Sequence, residues 1–278
     1  MDREVVQIGG VGPPLLVPPL KWAGGKRWFV ARHLDLVPDR FERYIEPFLG
    51  SGALFFALRP AAALLSDLNS DLINLYSCIR DCPIELSKLL ARHQRLHSAE
   101  HYYRVRAQQL RSPLTQAARF LYLNRTCWNG LYRVNRQGKF NVPIGSKTSV
   151  VLESDDFSAL SSAMKNVDFR TSDFEKAVDA AKSGDFVFID PPYTVAHNNN
   201  GFVNYNESLF SWADQVRLRK AVDRAVSRGA KVLITNAAHQ SIYSLYQGYE
   251  QLRVSRAGVI AANGAARGSF NEVVIRCY

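Results

Sequence analysis

The sequence predicts an α/β fold in which a mostly parallel sheet carries helices on both faces. Residues 186–189 and 231–235 are short runs that are apolar on both faces, which is typical of central strands covered by helices. These runs alternate along the chain with helical patterns such as residues 53–58 and 214–228. A chain of 278 residues is long enough for one such domain with a large insertion.

The first part of the predicted domain covers residues 1–70. Its opening arm, residues 1–19, is rich in Gly, Pro and Val without a period and is interpreted as irregular. Short strands are predicted at residues 44–45 and 63–66, and the second of them ends at Asp67.

Residues 71–165 differ in character and are predicted to form an insertion of helices with one β-hairpin. Apolar residues recur at helical spacing in several stretches between residues 72 and 122. Residues 131–134 and 139–142 flank the turn-forming sequence 135–138, which predicts the hairpin.

Residues 166–278 return to the alternating pattern and complete the domain. A strand at residues 167–170 and a helix near residues 174–182 precede the apolar strand at 186–189. The last segments, residues 253–259 and 272–277, are expected to pair as an antiparallel hairpin at the edge of the sheet.

The positive charge of the chain is unevenly distributed. The chain has 35 Lys and Arg against 25 Asp and Glu, a formal net charge of +10. Residues 80–147 alone contain thirteen basic residues and three acidic ones. A charge gathered in one segment favours a nucleic acid as partner, while a solvated helical face is the alternative explanation.

Membrane, secreted and metal-dependent classes have no support in the sequence. No run approaches the roughly 20 apolar residues of a membrane span and no secretory signal is recognisable, so a soluble cytoplasmic protein without membrane contact is expected. The four cysteines form no CxxC pair. His93, His97 and His101 share a helical face but lack the acid of a zinc-protease motif, so solvated histidines are preferred to a metal site.

The most specific chemical signal is Asp190-Pro191-Pro192-Tyr193, which follows a predicted buried strand, where open α/β sheets bind ligands. The lone pair of an adenine amino nitrogen is delocalised into the ring, and two hydrogen-bond acceptors on its N–H groups would concentrate electron density on the nitrogen. Asp190 offers a carboxylate and Pro191 a carbonyl, and Tyr193 offers a ring face for an extruded base. A proline turn that ends a strand is the structural alternative.

Residues 46–52 form a glycine-containing turn between a strand and a helix. Phe55 stands where the dinucleotide fingerprint has its third glycine, which disfavours NAD, but close approach of the backbone to another ligand stays open. Asp67, at the end of the next strand, is equally a candidate acceptor for ribose hydroxyls and a cap for the following helix.

Residues 20–27 resemble a phosphate-binding loop only superficially. Leu20 occupies the position of its first glycine and Arg27 that of its Ser or Thr, so nucleotide triphosphate hydrolysis is disfavoured. Lys26 is a candidate for binding a ligand carboxylate, and a surface turn before a helix is the alternative.

Seven blocks, in matching order and spacing, resemble the Dam-type (alpha-class) DNA adenine-N6 methyltransferases: residues 21–26, 46–52, 66–69, 124–135, 138–145, 172–174 and 190–193. The similarity runs from about Leu20 to the end of the chain. It implies a Rossmann-like methyltransferase sheet with helices on both faces, and an inserted DNA-recognition domain of helices and a β-hairpin. It also implies S-adenosylmethionine as cofactor and double-stranded DNA as substrate. No obligate protein partner is implied, and a monomer or weak dimer is expected.

The resemblance assigns a catalytic pocket around a flipped base to Asp190, Pro191, Pro192 and Tyr193. Cofactor contacts are implied for Trp22, Lys26, Phe48, Gly50, Gly52, Asp67, Asp173, Phe174 and Asp190. Within that set, Lys26 would lie near the methionine carboxylate and Asp67 would hold the ribose, while Asp173 and Phe174 would bind the adenine.

The resemblance implies DNA contacts in and around the hairpin, by Arg125, Trp128, Asn129, Leu131, Arg133, Asn135, Arg136, Lys139 and Pro143. Arg133 is the best candidate for reading a guanine in the major groove. GATC, the commonest target of the family, is compatible with these residues. Two other activities stay open: methylation of another planar amino group (cytosine N4, RNA or a protein amide), and DNA binding without catalysis.

Overall fold

A computed structural model describes residues 16–135, 137–194, 210–257 and 269–278. Within these ranges the sheet has seven strands in the order β3-β2-β1-β4-β5-β7-β6. The strands are β1 Tyr44–Glu46, β2 Ala63–Asp67, β3 Val167–Thr171, β4 Phe186–Ile189, β5 Lys231–Ala237, β6 Glu250–Ala257 and β7 Ser269–Cys277. The first five strands are mutually parallel, whereas β7 runs antiparallel between β5 and β6. The predicted α/β class, with a Rossmann-like methyltransferase sheet, is confirmed.

The helices of the described residues include those that the apolar spacing predicts near residues 53–58, 174–182 and 214–228. They are α1 Arg27–Arg32, α2 Ala53–Leu58, α3 Ser70–Asp81, α4 Pro83–Leu96, α5 Ala99–Ala107, α6 Pro113–Thr126, α7 Phe157–Ala163, α8 Phe174–Asp179, α9 Trp212–Ser227 and α10 Gln240–Leu245. Both α4 and α6 begin with proline, which is favoured at the first helical position because its missing N–H would have no partner there.

Two hydrophobic cores lie on opposite faces of the sheet. Along β4, Phe186 and Phe188 pack into one core with α2, α3 and α6, while Val187 and Ile189 pack into the other with α8 and α9. Successive side chains of a strand point to opposite faces, so an all-apolar strand is buried on both sides. Full burial of each such side chain stabilises the fold by roughly 1.5–3 kcal/mol.

The basic helical region is joined to the sheet through α3. Asn69 caps this helix by accepting hydrogen bonds from the amides of Asp71 and Leu72, at 3.1 and 3.2 Å. α3 contacts β2 and β3 on one side and α6 on the other. The predicted domain boundaries at residues 70/71 and 165/166 stay predictions.

The predicted hairpin, residues 131–142, is shorter than expected. Its turn is present, with Gly138 at φ +72° donating to the carbonyl of Asn135 at 2.9 Å. However, the described residues form one bridge, between Val134 and Phe140, in place of two four-residue strands. The carbonyl of Val142 accepts from the side chains of α5 instead of from the opposite strand, which limits the pairing. Arg136 and the Asn-rich segment 198–201 lie outside the described residues.

The prediction that the three histidines are solvated is wrong for His101, which is buried, and His93 and His97 are half-buried. His93 Nδ1 and His101 Nε2 are 3.0 Å apart, and the His93 ring stacks on Tyr122 with centroids 4.6 Å apart. His97 Nδ1 contacts the hydroxyl of Tyr122 at 3.0 Å. Burial, with repulsion from His101 and Arg92, lowers the pKa of His93 to about 4. These side chains therefore help to pack α4, α5 and α6 together.

The edge pair β6 and β7 is antiparallel, as predicted, although residues 258 and 259 lie outside the described part of the chain. Within the described ranges, no group of three metal-binding side chains occurs. No helix in those ranges is both long and apolar enough to cross a membrane.

Candidate active site

Three acidic side chains lie at one edge of the sheet because parallel neighbouring strands carry them. β1 ends at Glu46, β2 ends at Asp67, and β4 is followed directly by Asp190. β1 pairs in parallel with both β2 and β4, so the three carboxyl ends are adjacent. Open α/β sheets bind ligands at this edge. The predicted location of Asp67 and Asp190 is therefore confirmed.

The two oxygens of the Asp190 carboxylate differ in their contacts. Its Oδ1 accepts from Lys26 Nζ and from the hydroxyl of Thr235, each at 2.8 Å. Within the described residues, Oδ2 accepts no hydrogen bond. The side chain is 18 % exposed. Burial raises the pKa of Asp190, and the ammonium of Lys26 opposes that shift.

Lys26 lies inside the site, so its interpretation as part of a surface turn is wrong. Its side chain is 4 % exposed. The ammonium donates to the carbonyl of Gly24 at 2.9 Å, contacts Asp190 at 2.8 Å and lies 3.7 Å from Glu272 Oε2. In this conformation, Lys26 therefore binds carboxylates of its own chain. Pairing of this kind is needed because the burial of an unpaired ammonium is unfavourable.

Tyr193 is held by Glu272, an acid in β7. Its hydroxyl donates to Glu272 Oε2 at 2.7 Å, and its ring centroid lies 5.3 Å from Lys26 Nζ. Burial raises the pKa of Tyr193 well above its usual range, and the charges of Asp190 and Glu272 add to that rise. The tyrosine therefore stays protonated and donates. Pro191 is buried and Pro192 half-buried, which holds the segment between Asp190 and Tyr193 in place.

Two residues of this cluster were missed at the level of sequence. Thr235 lies in β5 and Glu272 in β7, and both are buried among apolar neighbours. The available signal was a polar residue inside a predicted core strand, since buried polar groups are nearly always hydrogen-bonded. We refer to Lys26, Asp190, Tyr193, Thr235 and Glu272 as the acidic rim.

The glycine turn packs against the loop that carries Lys26. Gly50 has φ +47° and Gly52 has φ +62°, in the left-handed region that glycine favours. A Cβ on Gly50 would lie 2.8 Å from Cδ1 of Trp22. The close backbone approach predicted from the motif is therefore made, in this structure, to the Trp22 ring.

Asp67 supports the same turn and does not cap α3. Its Oδ2 accepts from the amide of Gly50 at 3.2 Å and its Oδ1 from the amide of Asn69 at 2.9 Å. Asn69 itself caps the helix, so the capping alternative for Asp67 is wrong. Burial raises the pKa of Asp67, although these amides oppose that shift.

The segment after β3 forms a second wall at the same edge. Asp173 caps α8 and pairs with Arg217 at 2.7 and 2.9 Å. Burial acts against the charge of Asp173, but the hydrogen bonds from Arg217 and from the Glu175 amide outweigh it, so its pKa is lowered. Phe174 is buried and stacks on the half-buried Phe48, with ring centroids 5.4 Å apart.

Comparison with known proteins decides the family. Residues 22–259 match the D12 class N6 adenine-specific DNA methyltransferases. The chain belongs to this family. It is 36% identical over 272 residues to the type II methyltransferase M1.LlaDCHI of Lactococcus lactis subsp. cremoris, covering 95% of this chain and 96% of that protein. It is 32% identical over 265 residues to the DNA adenine methylase of Serratia marcescens, covering 92% and 96%.

A third relative is much longer. The chain is 36% identical over 260 residues to the DNA N-6-adenine-methyltransferase of Escherichia phage P1, covering 91% of this chain but 34% of that protein. As an adenine-specific DNA methyltransferase, the protein takes DNA as its substrate and requires a methyl donor.

The methyltransferase exposes most of the side chains that were predicted to contact DNA. Trp128 is 55% exposed, and Asn129 beside it adopts φ +55°. Leu131 is half-buried. The exposed residues of this surface also include Arg133, Asn135, Lys139 and Pro143. Arg133 Nε donates to Asn141 Oδ1 at 2.9 Å, which extends the guanidinium along the hairpin.

Asn124 connects this surface of the methyltransferase to the loop of Lys26. Its Oδ1 accepts from the amide of Lys21 at 3.0 Å, while its Nδ2 donates to the carbonyls of Lys21 and Gly130 at 2.8 and 3.2 Å. Next to it, the rings of Trp22 and Tyr132 stack with centroids 5.6 Å apart. Trp22 therefore contacts both the hairpin, through Tyr132, and the turn at Gly50.

Arg125 does not belong to the exposed surface of the methyltransferase. Its guanidinium is buried, pairs with Asp155 at 2.6 Å and donates to the carbonyls of Pro19 and Val150. With its donors engaged by the protein, Arg125 has no free group for a phosphate or a base. We therefore leave Arg125 out of the residues proposed to contact DNA.

Proposed function

We propose that this methyltransferase transfers a methyl group from S-adenosylmethionine to N6 of an adenine that is flipped out of duplex DNA. The observation that carries the proposal is the arrangement at Asp190. One carboxylate oxygen is held by Lys26 and Thr235, and the other accepts no hydrogen bond within the described residues. A carboxylate fixed in this way is ready to accept an N–H from a substrate.

The chemistry needs the amino nitrogen of adenine to become more nucleophilic. Asp190 Oδ2 and the carbonyl of Pro191 are suited to accept its two N–H groups, because neither has a competing hydrogen on the same atom. As the N–C bond forms, the bond from the methyl carbon to the sulfonium sulfur would break and leave a neutral thioether. The amino nitrogen would then lose a proton, and Asp190 is the adjacent base. Burial raises the pKa of Asp190 towards the range where accepting that proton is easier. The Tyr193 ring offers a face on which the flipped base can stack.

Residues at the same edge fit S-adenosylmethionine. When bound, this cofactor supplies an activated methyl group on a sulfonium. Gly50 and Gly52 lack side chains where the turn is most crowded, and Asp67 is held by two amides at the end of β2. The hydroxyl of Ser172, at the end of β3, is buried and has no hydrogen-bond partner within the described residues, which leaves a polar atom for a ligand.

The residues at this edge of the sheet would bind different parts of the cofactor. Asp67 would accept the ribose hydroxyls, because an acid at the end of the second strand is where nucleosides are held in such sheets. Asp173 and Phe174, supported by Phe48, would bind the adenine ring. Lys26 would bind the methionine carboxylate while it keeps its contact with Asp190, because an ammonium has three N–H donors.

DNA recognition is assigned to the surface around the hairpin. The proposed contacts are Trp128, Asn129, Leu131, Arg133, Asn135, Arg136, Lys139 and Pro143. Their support is the exposure of the described members and the basic charge of residues 80–147. Arg133 would read a guanine through a bidentate contact. We propose GATC as the target because of the resemblance to Dam-type enzymes.

The test is methyl transfer by wild-type protein and by Asp190→Ala, with labelled S-adenosylmethionine and unmethylated duplexes that contain or lack GATC. We expect label in N6-methyladenine of the GATC duplex with wild type, and none with the variant, which should still bind DNA. Asp39→Asn, an exposed acid, serves as the matched control.

Three results would overturn parts of the proposal. Turnover retained by Asp190→Ala would refute the role of that carboxylate. Label in cytosine, RNA or protein would replace the proposed substrate. Equal labelling of both duplexes would refute GATC as the target while leaving adenine methylation intact.

A further inference from the structure

Glu272 is an acid in a place where acids are rare. It lies near the start of β7, where the next residues, Val273, Val274 and Ile275, are fully buried, and it is itself buried. Burial of a carboxylate is unfavourable unless the group is paired and hydrogen-bonded. A residue whose burial carries this penalty needs a compensating role in structure or in chemistry.

The sheet brings Glu272 beside the proposed catalytic acid. β7 pairs antiparallel with β5, where Glu272 lies opposite Ala237 and Val274 lies opposite Thr235. Thr235 in turn donates to Asp190. Glu272 and Asp190 therefore lie at the same edge of the sheet, and both are close to Lys26.

Two contacts connect Glu272 to other residues of the acidic rim. Its Oε2 accepts from the Tyr193 hydroxyl at 2.7 Å and lies 3.7 Å from Lys26 Nζ. The first contact fixes the position of the aromatic ring. The second means that Lys26 is shared between two carboxylates, and the nearer one is Asp190 at 2.8 Å.

We propose that Glu272 is a positioning residue for methyl transfer, which orients the Tyr193 ring and shares the ammonium of Lys26 with Asp190. This proposal rests on the proposed function. It explains how the buried ammonium of Lys26 stays paired with two carboxylates while Asp190 Oδ2 accepts an N–H of the substrate. It also gives the site two carboxylates and one ammonium, a net negative charge that favours the positive charge developing on the amino nitrogen.

The role predicts a specific effect on pH dependence. The titratable groups that interact electrostatically with Asp190 come from four parts of the chain. They are Lys26 before α1, Glu46 and Tyr44 in β1, Tyr193 after β4, and Glu272 in β7. Glu272 raises the pKa of Asp190, so its removal lowers that pKa. Activity is lost when Asp190 becomes protonated, so the acid limb of the rate profile should move to lower pH.

The experiment compares wild type with Glu272→Gln, which keeps an acceptor for Tyr193 but removes the charge. We expect kcat to fall by roughly ten- to a hundredfold, by analogy with residues that orient the ligands of a catalytic metal. KM for DNA and for S-adenosylmethionine should change less than twofold, and the acid limb should shift as above. Glu250→Gln, an exposed acid of β6, is the matched control and should retain wild-type kinetics.

A second pair of variants tests the path through the tyrosine. Tyr193→Phe removes the hydroxyl and keeps the ring, so Glu272→Gln combined with Tyr193→Phe should lose less than the product of the two single losses. Strict multiplicativity would contradict coupling through Tyr193. A kcat of Glu272→Gln within twofold of wild type, or an acid limb that stays in place, would overturn the proposal.

The activity of the wild-type protein distinguishes failure of the proposed role of Glu272 from failure of the proposed function. Methylation of adenine by wild type together with an unaffected Glu272→Gln variant would refute the role of Glu272 alone. An inactive wild-type protein that binds S-adenosylmethionine and DNA would refute the proposed function and this inference with it.

Discussion

The acidic rim and the hairpin are stabilised in opposite ways. In the rim, Lys26, Asp190 and Glu272 are largely buried and contact one another through hydrogen bonds and ion pairs. In the described part of the hairpin, one bridge and a few hydrogen bonds support exposed side chains such as Arg133 and Lys139. Chemistry at the amino group needs groups fixed before the substrate arrives, whereas a surface that reads DNA can form its contacts on binding.

The difference can be tested first where a predicted DNA contact proved to be buried. Arg125→Met should lower the free energy of unfolding by about 3–5 kcal/mol, because it leaves Asp155 buried without its partner. Urea denaturation would measure the loss, with the exposed Arg92→Met as control. If Arg125→Met unfolded like wild type but bound DNA more weakly, Arg125 would belong with the hairpin after all.

The next largest effect is expected inside the rim. Lys26→Met should reduce kcat by about a hundredfold, a loss typical for removal of one preorganised electrostatic contact. Lys26 lowers the pKa of Asp190, so without it that pKa rises further and the acid limb should move to higher pH. Methylation rates across pH would show this, and Lys182→Met, an exposed lysine, should leave both values unchanged. An unchanged acid limb would mean that Lys26 does not control the pKa of Asp190 during methyl transfer.

In the hairpin, a substitution should affect specificity and leave the fold intact. Arg133→Ala should reduce discrimination against a changed base pair by about 1–3 kcal/mol, with an unchanged free energy of unfolding. Binding titrations on matched and changed duplexes would measure it. Lys139→Ala is the comparison, since a phosphate contact should weaken binding to all sequences and reduce its salt dependence. If Arg133→Ala weakened binding to all duplexes equally, Arg133 would contact the DNA backbone instead of a base.

The last effect concerns the packing of α4 against α5 and α6. The folded state lowers the pKa of His93 to about 4, below the 6.5 of an exposed histidine. The unfolded chain then binds more protons between these values, so His93 makes the fold less stable as the pH falls from about 6.5 to about 4. His93→Phe should make the loss of stability over this range shallower in urea denaturation. An unchanged slope would mean that His93 is protonated in the fold.

Local patterns were enough to predict much of the architecture. The strands from β1 to β5 and the edge pair follow from short apolar runs, and the positions of Asp67 and Asp190 follow from where those runs end. The partners of side chains could not be predicted in the same way. Arg125 has the same sequence signal as an exposed arginine, and its pairing with Asp155 depends on how distant segments pack.

The same limitation applies to the site. Lys26 could be identified as a candidate, but its contact with Asp190 requires β4 and the first loop to meet in space. Glu272 gave only the weak signal of an acid inside an apolar strand. The hairpin was predicted too long because alternation of residue types does not reveal that the carbonyl of Val142 is used by the side chains of α5.

One amide gives these two regions a mechanical connection. Asn124 binds the backbone of Lys21 on one side and the carbonyl of Gly130 on the other. The segment proposed to contact DNA and the loop that leads to Lys26 are thereby held by a single side chain in α6. Displacement of Gly130 on DNA binding would therefore strain the hydrogen bonds to Lys21, five residues before Lys26, and would couple binding of the nucleic acid to the geometry of the site.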